Sequence, residues 1–425
     1  MRRYLDLLRR RDYALLWGGA TVSELGDGMS FVALVWLILE RGGDAGTVGW
    51  LAAAYTAPVV VGGLAAGIIL DRFDRRRVLV GDNLVRGAAI ASVPIASALG
   101  VLSTAQLFVV AAVYGLLYMT SAAGIPSLIP DLVSEDELTT ANALESISFG
   151  LGGLVGPALG GIVIAVFNAP VVLAIDAASY AVFVVCLLAM GPVERRPAAA
   201  TGAGGVSPAV PQRRATGGGL GPAIRFILGA PAIVAITVIY MGLNLSTGVF
   251  SVLAPVYSRD VLGGDATTYG AILSAFEAGG LVGLIVVGAM RWRWPLGRSI
   301  AVATFSAGLA LGLLLIRPSF LPTLLILAAA GLFASSLTAW AQTIRMRLIP
   351  PELRGRVFAL LRTTMQSTRP IGAILGGLLL AGGDPIPAIA ATAGFVVIPG
   401  AIGLWLPALG RGPTAEPDGR PASRT

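Results

Sequence analysis

The chain has 425 residues, of which 56% are hydrophobic and 12% charged, with a formal net charge of +7 and no histidine. A soluble domain carries about twice that share of charge, and the alternating ten-residue strands of a membrane barrel are absent, which leaves an all-α polytopic membrane protein. With no histidine and a single cysteine, Cys186, inside an apolar run, metal clusters, intramolecular disulfides and most nucleophilic chemistry drop out, so the chain is expected to be no enzyme and to use no metal or cofactor.

A spanning helix needs roughly 20 mostly apolar residues. Twelve such windows follow one another near 13–39, 47–70, 78–101, 104–129, 139–167, 170–190, 231–256, 267–290, 297–316, 320–343, 357–381 and 385–409. The first follows a basic start, but Glu24 and Asp27 interrupt it and no small-residue cleavage site follows, so it reads as an uncleaved helix. Every basic residue is arginine. Arginines gather at the amino terminus and in the even-numbered connections, among them Arg9, Arg10, Arg11, Arg72, Arg195, Arg196, Arg291, Arg293 and Arg354, against Arg41, Arg259 and Arg317 in the odd ones. That asymmetry predicts a multi-pass protein of the cell (inner) membrane with both termini cytoplasmic. It also explains the pI near 10.0 by contact with anionic lipid headgroups, and a nucleic-acid surface is not expected because the arginines form no single face.

Between the second and third windows lies a charged hairpin, Gly67-Ile-Ile-Leu-Asp71-Arg72-Phe-Asp74-Arg75-Arg76-Arg77, with Asp82 and Arg86 four apart at the base of the third window. The fifth window holds Gly152-x-x-x-Gly156-Pro157-x-x-Gly160-Gly161, where glycines four apart admit a close helix and the proline bends the backbone. Residues 191–222 are rich in Pro, Gly, Ala and Ser and predict a flexible linker. It divides a first six-helix bundle (1–190) from a second (223–409), and a disordered tail covers 410–425. A short stretch near 220–229 is expected along the membrane surface. The halves are related: Val133-Ser-Glu-Asp-Glu-Leu aligns with Ile349-Pro-Pro-Glu-Leu-Arg, and the same offset carries Gly156, Gly160 and Gly161 onto Gly372, Gly376 and Gly377. Residues 288–298 fall where a degraded copy of the hairpin belongs. Two repeats around a midplane site are the architecture of alternating-access carriers.

The hairpin resembles the signature loop of the major facilitator superfamily of secondary transporters, with Asp74 where a glycine is usual. That substitution, with the Glu137-Leu-Thr-Thr-Ala-Asn142 and Pro351-Glu-Leu-Arg-Gly-Arg-Val357 elements, is similar to the branch that holds the enterobactin exporter and macrolide-efflux proteins. The resemblance implies twelve transmembrane helices in two pseudo-symmetric bundles. It also implies that Gly67, Asp71, Arg72, Arg75 and Arg76 form an inner-gate latch that meets the start of span eleven at Arg356 and Arg362, with Asp82 and Arg86 extending the network. The span-five glycines match a motif that shapes the contact between halves in antiporters of this superfamily.

Charges inside membrane windows are costly and usually face a cavity or a partner. Asp27, Glu277, Glu24 and Asp176 are the proton-coupling candidates, since with no histidine any proton step must run on carboxylates. Arg369, central in span eleven, is a counter-ion for an anionic substrate or for Glu277 or Asp27. Tyr114, Tyr118, Tyr240, Asn244 and Trp340 are candidate cavity walls. Many drug–proton antiporters carry a buried arginine in span four, but residues 107–128 here hold no basic residue. The expectation is a monomeric secondary transporter, driven by protons, that exports a bulky amphipathic small molecule; a lipid facilitator or an importer of the same superfamily is the alternative. No Gly-x-x-x-x-Gly-Lys loop is present to use ATP.

Overall fold

The computed structural model describes residues 2–191, 220–289, 294–350 and 352–410, with side chains from Tyr4 onward. Most of the expected linker and tail, and Arg291 and Arg293 of the degraded hairpin copy, lie outside the described residues. Among the described residues every regular element is helical, and eleven helices are long and apolar enough to cross a membrane. Spans one to six are Arg11–Glu40, Ala45–Arg72, Arg75–Ala98, Thr104–Leu132, Leu138–Val166 and Ala169–Ala189. Spans seven to ten are Pro231–Val256, Ala266–Ala289, Leu296–Gly312 and Phe320–Leu348, and span twelve is Ile386–Trp405.

Span eleven, expected as one helix, is two: 11a (Arg354–Gln366) and 11b (Thr368–Leu380). Each has 13 residues, about 20 Å at 1.5 Å per residue and too short to cross the roughly 30 Å hydrocarbon layer alone. The cause is Pro370, which has no N–H for the Gln366 carbonyl and whose ring crowds that turn. The Thr368 hydroxyl covers the break, donating to the carbonyls of Met365 (2.8 Å) and, in span seven, Met241 (3.1 Å).

Spans one to six pack on one another, as do spans seven to twelve, and the two sets meet mainly along spans two and eleven and along spans five and eight. Small residues make these meetings close. In the first set, Gly156 of span five faces Gly28 of span one, so a Cβ at 156 would lie 2.8 Å from the Gly28 Cα. Between the sets, Gly49 meets Ala373 and Gly377, and Gly161 meets Ala266. Both inter-set contacts lie at the face opposite the arginine-rich connections. Toward the arginine-rich face the sets part. Along span five a Cβ at Gly161 would strike span eight, one at Gly153 would stand 3.6 Å from Glu277, and one at Gly150 would touch nothing within 4 Å. The central cavity therefore opens on the arginine-rich side. Trp50, Trp294 and Trp405 stand exposed at span ends, as aromatic anchors of a membrane boundary do. The stretch near 220–229 forms a short helix, Gly221–Leu228, that buries Ala223 and leaves Ile224 and Leu228 exposed.

Candidate functional site

The most heavily built polar site lies inside the first set of helices. Asp82 and Arg86 are on span three, one turn apart, so both meet at the same helix face. Arg86 is 2% exposed, and its guanidinium donates from Nε and Nη2 to Asp82 Oδ2 (3.1 and 3.0 Å) and from Nη1 to Asp27 Oδ2 of span one (3.2 Å). Ser121 of span four accepts from Nη2 (2.5 Å) and donates to Asp82 (2.8 Å). Tyr180 of span six accepts from Nη1 (3.2 Å) and donates to Asp27, and its ring lies 4.7 Å under the guanidinium. Four helices are thus joined at one cation. A buried guanidinium is tolerated when its donors are paired in this way. Two carboxylates on one guanidinium still leave one negative charge in excess.

Asp82 and Arg86 therefore do not extend an inner-gate network, as the sequence led us to expect. Asp82 sits eight residues above the N-cap Asp74, about 12 Å up the helix at 1.5 Å per residue, well inside the bundle. Span four carries no arginine of its own, but Arg86 reaches it from span three through Ser121. Asp176 is fully buried beside this cluster, accepting from Ser30 and from Ser179 (3.1 Å to Oδ1), both neutral donors. Gly26 makes room for it, since a Cβ there would strike Asp176.

An aromatic ladder leads from this cluster toward the cavity. The rings of Phe31, Tyr55, Tyr114 and Tyr118 follow at centroid spacings of 5.1, 4.6 and 6.1 Å, with Arg86 5.6 Å over Tyr114. Tyr114 and Trp340, expected as cavity walls, are instead buried, Tyr114 in the middle of the ladder and Trp340 in the core of the second set. Tyr118, Tyr240 and Asn244 are half-buried. Glu277 is exposed beside Gly153. Arg369 stands at the break in span eleven, its Nε buried without a hydrogen-bond partner, and among the described residues it forms no ion pair with Glu277 or Asp27. Glu24 is half-buried on the cavity side of span one.

The hairpin residues divide. Asp74 caps span three by accepting from the Arg77 N–H (3.0 Å), which accounts for the aspartate at a position where glycine is usual. Arg75 donates to the Ser127 carbonyl (2.6 Å) and Arg76 to the carbonyls of Leu188, Met190 and Gly191 (2.8, 3.0 and 3.1 Å), so both fasten span three to spans four and six of the same set. Gly67, Asp71 and Arg72 are exposed, and among the described residues Asp71 forms no ion pair. Arg356 is half-buried, and Arg362 crosses between the sets to donate to Met119 Sδ (3.2 Å). The span-five motif serves two neighbours: Gly152, Gly156 and Gly160 face span one, while Pro157 and Gly161 face span eight.

Two groups escaped the sequence reading. Arg345 of span ten looked like an ordinary basic span end, yet it is buried, 4.6 Å from the Tyr240 ring centre, and forms no ion pair among the described residues. Glu145 of span five was passed over near a helix start. It shares with Glu24 a small cavity beside Trp17 and Phe149.

The profile of the family described as "Transmembrane secretion effector" matches residues 5–409. The chain belongs to that family, a branch of the major facilitator superfamily, and is a multi-pass membrane transporter. It is 28% identical over 405 residues to the multidrug efflux pump Tap of Mycobacterium tuberculosis, covering 91% of each chain. Over 369 residues it is 23% identical to macrolide efflux protein A of Streptococcus pyogenes, covering 85% of this chain and 88% of that one. Its fold is similar to that of a variant of the nucleoside transporter NupG (TM-score 0.74, 11% identity, 93% and 99% coverage). It is also similar to a bacterial homologue of the iron transporter ferroportin (TM-score 0.72, 17% identity, 93% and 98% coverage).

Proposed function

We propose that this protein exports bulky amphipathic small molecules from the cytoplasm, taking protons in exchange, by rocking two six-helix halves (1–190 and 223–409) about a central cavity. The efflux pumps it is similar to over most of its length support the direction and the class of cargo. The positive-inside rule makes the arginine-rich face cytoplasmic, so the described state is open to the cytoplasm. A single chain contains the whole cavity, and the monomer is the working unit.

The observation that carries the coupling is the Asp27–Arg86–Asp82 cluster. It holds one negative charge more than its cation offsets, on a span that packs against the glycines of span five. A proton arriving at this cluster removes that excess and loosens the Arg86–Asp27 bond, changing how span one sits on span five. Asp71 supplies the latch of the other state. Moving 22 residues along spans two and eleven from the Gly49 contact brings Asp71 to the start of helix 11a, whose N-cap Leu353 offers no side-chain hydrogen bond. A carboxylate there caps the free N–H groups and meets the positive end of the helix dipole.

The test is efflux of a panel of amphipathic drugs from cells that express the protein, with and without a protonophore, for the wild type, Asp27→Asn and Glu277→Gln. Protonophore-sensitive export that is lost in Asp27→Asn supports the reading. Export that ignores the protonophore and survives Asp27→Asn would make the protein a facilitator and the cluster a structural one.

A further inference from the structure

The repeat relates the two halves residue by residue, and one niche differs between them. Gly156 and Gly160 of span five rest on Leu25 and Met29 of span one, as Gly372 and Gly376 of span eleven rest on Leu245 and Val249 of span seven. Equal steps along these helices pair Ala20 with Tyr240, Glu24 with Asn244 and Phe149 with Met365. Spans four and ten end alike, the Val133 N–H bonding the Ile129 carbonyl (3.2 Å) and the Ile349 N–H the Arg345 carbonyl (3.0 Å), which pairs Ile129 with Arg345.

In the second half the niche is full. The Arg345 guanidinium occupies it, 4.6 Å from the Tyr240 ring centre and 3.2 Å from Met365 Sδ. In the first half, Ala20 and Ile129 stand in the places of that ring and that cation, and a cavity of about 20 Å³ remains, room for one water or one ammonium group. Its wall holds Glu24, Glu145 and the rings of Trp17 and Phe149. Trp17 is fixed by its Nε1–H, which donates to the Leu144 carbonyl (2.9 Å). Among the described residues neither carboxylate has an ion pair or hydrogen bond, and no arginine lines the cavity.

We propose that this notch between spans one, four and five seats the primary ammonium group of a transported amphiphile, in the place that Arg345 fills in the other half. Aromatic faces and carboxylates are the surroundings a desolvated cation requires. The proposal rests on the cavity's being the route of amphipathic cargo and adds the charge class that this half selects.

Dansylcadaverine, an amphiphile with one primary amine, and its N-acetyl derivative, which is uncharged, form a matched pair of probes. Both are titrated by fluorescence against the purified full chain and followed in efflux from cells. The wild type is expected to favour the amine about tenfold or more, and Glu145→Gln, Glu24→Gln and Ile129→Arg each to bring the ratio near one. Ile129→Arg is the decisive variant, because it fills the notch with its own guanidinium as the second half does. Binding of the acetylated probe reports whether each variant is folded. Equal affinity of the wild type for both probes, binding of neither, or an unchanged ratio in Ile129→Arg overturns the notch. A purified protein that prefers the amine in cells that export neither probe upholds the notch and instead overturns the export reading.

Discussion

Arg86 illustrates how one residue decides the behaviour of four helices. Its five N–H groups are directed at two carboxylates, a serine and a tyrosine, all of them buried. Removing the cation alone strands Asp27 and Asp82 as buried charges, so Arg86→Leu is expected to cost about 3–5 kcal/mol, read as the loss in thermal unfolding of the purified protein. Adding Asp27→Asn to Arg86→Leu should cost less than the two changes summed, because the second removes a charge that the first orphaned. Strict additivity would mean that the 3.2 Å contact carries no coupling. The sequence showed half of this site. Asp82 and Arg86 are legible as neighbours on a helix, but their partner Asp27 lies 59 residues from Arg86, and only the packing of spans one and three against span six reveals it. Arg345 was hidden for a different reason: an arginine near a span end looks the same in sequence whether it points to lipid headgroups or into the bundle.

At the scale of elements, hydrophobic length made the spans readable and backbone chemistry set their irregularities. Twelve apolar windows were visible because membrane helices must be about 20 residues long. The break in span eleven was not read, although Pro370 was in view, because prolines inside other spans are absorbed without one: Pro58, Pro94 and Pro157 all lie within continuous helices. Pro370→Ala restores an N–H opposite the Gln366 carbonyl and should join 11a to 11b. The expected outcome is slower hydrogen exchange over residues 364–370 together with a lower export rate; unchanged exchange would show that the Thr368 bonds alone hold the break. The span-five glycines act in the opposite sense, by what they lack. Gly156→Leu pushes Gly28, and with it span one, off span five and is expected to cost about 1–3 kcal/mol in thermal stability by overpacking, whereas Gly150→Leu, with open space around it, should cost far less.

For the whole molecule, the close glycine contacts between the sets at one face and the parted helices at the other define a single hinge direction. With Cys186 replaced by serine, the pair Gly46→Cys and Gly377→Cys should cross-link in the resting protein, since a Cβ at 377 would lie 3.1 Å from the Gly46 Cα. The pair Asp71→Cys and Leu353→Cys should cross-link only when the carrier turns over. Cross-linking of the second pair at rest, or its absence under all conditions, would remove the latch.

The antiparallel run of spans five and eight has a further consequence for the energetics of cycling. Sixteen residues along each helix from the Gly161–Ala266 contact, Glu145 comes level with Val282, but it lies on the face of span five turned to span one, in the notch it shares with Glu24. Closing the open face cuts that notch off from water and leaves a bare carboxylate in it, at a desolvation cost of several kcal/mol. An empty carrier is thereby held from slipping through its cycle, and a cation seated beside Glu145 releases it. Cargo then acts as the key to its own turnstile, and Glu145→Gln should raise futile, cargo-free proton leak in proteoliposomes.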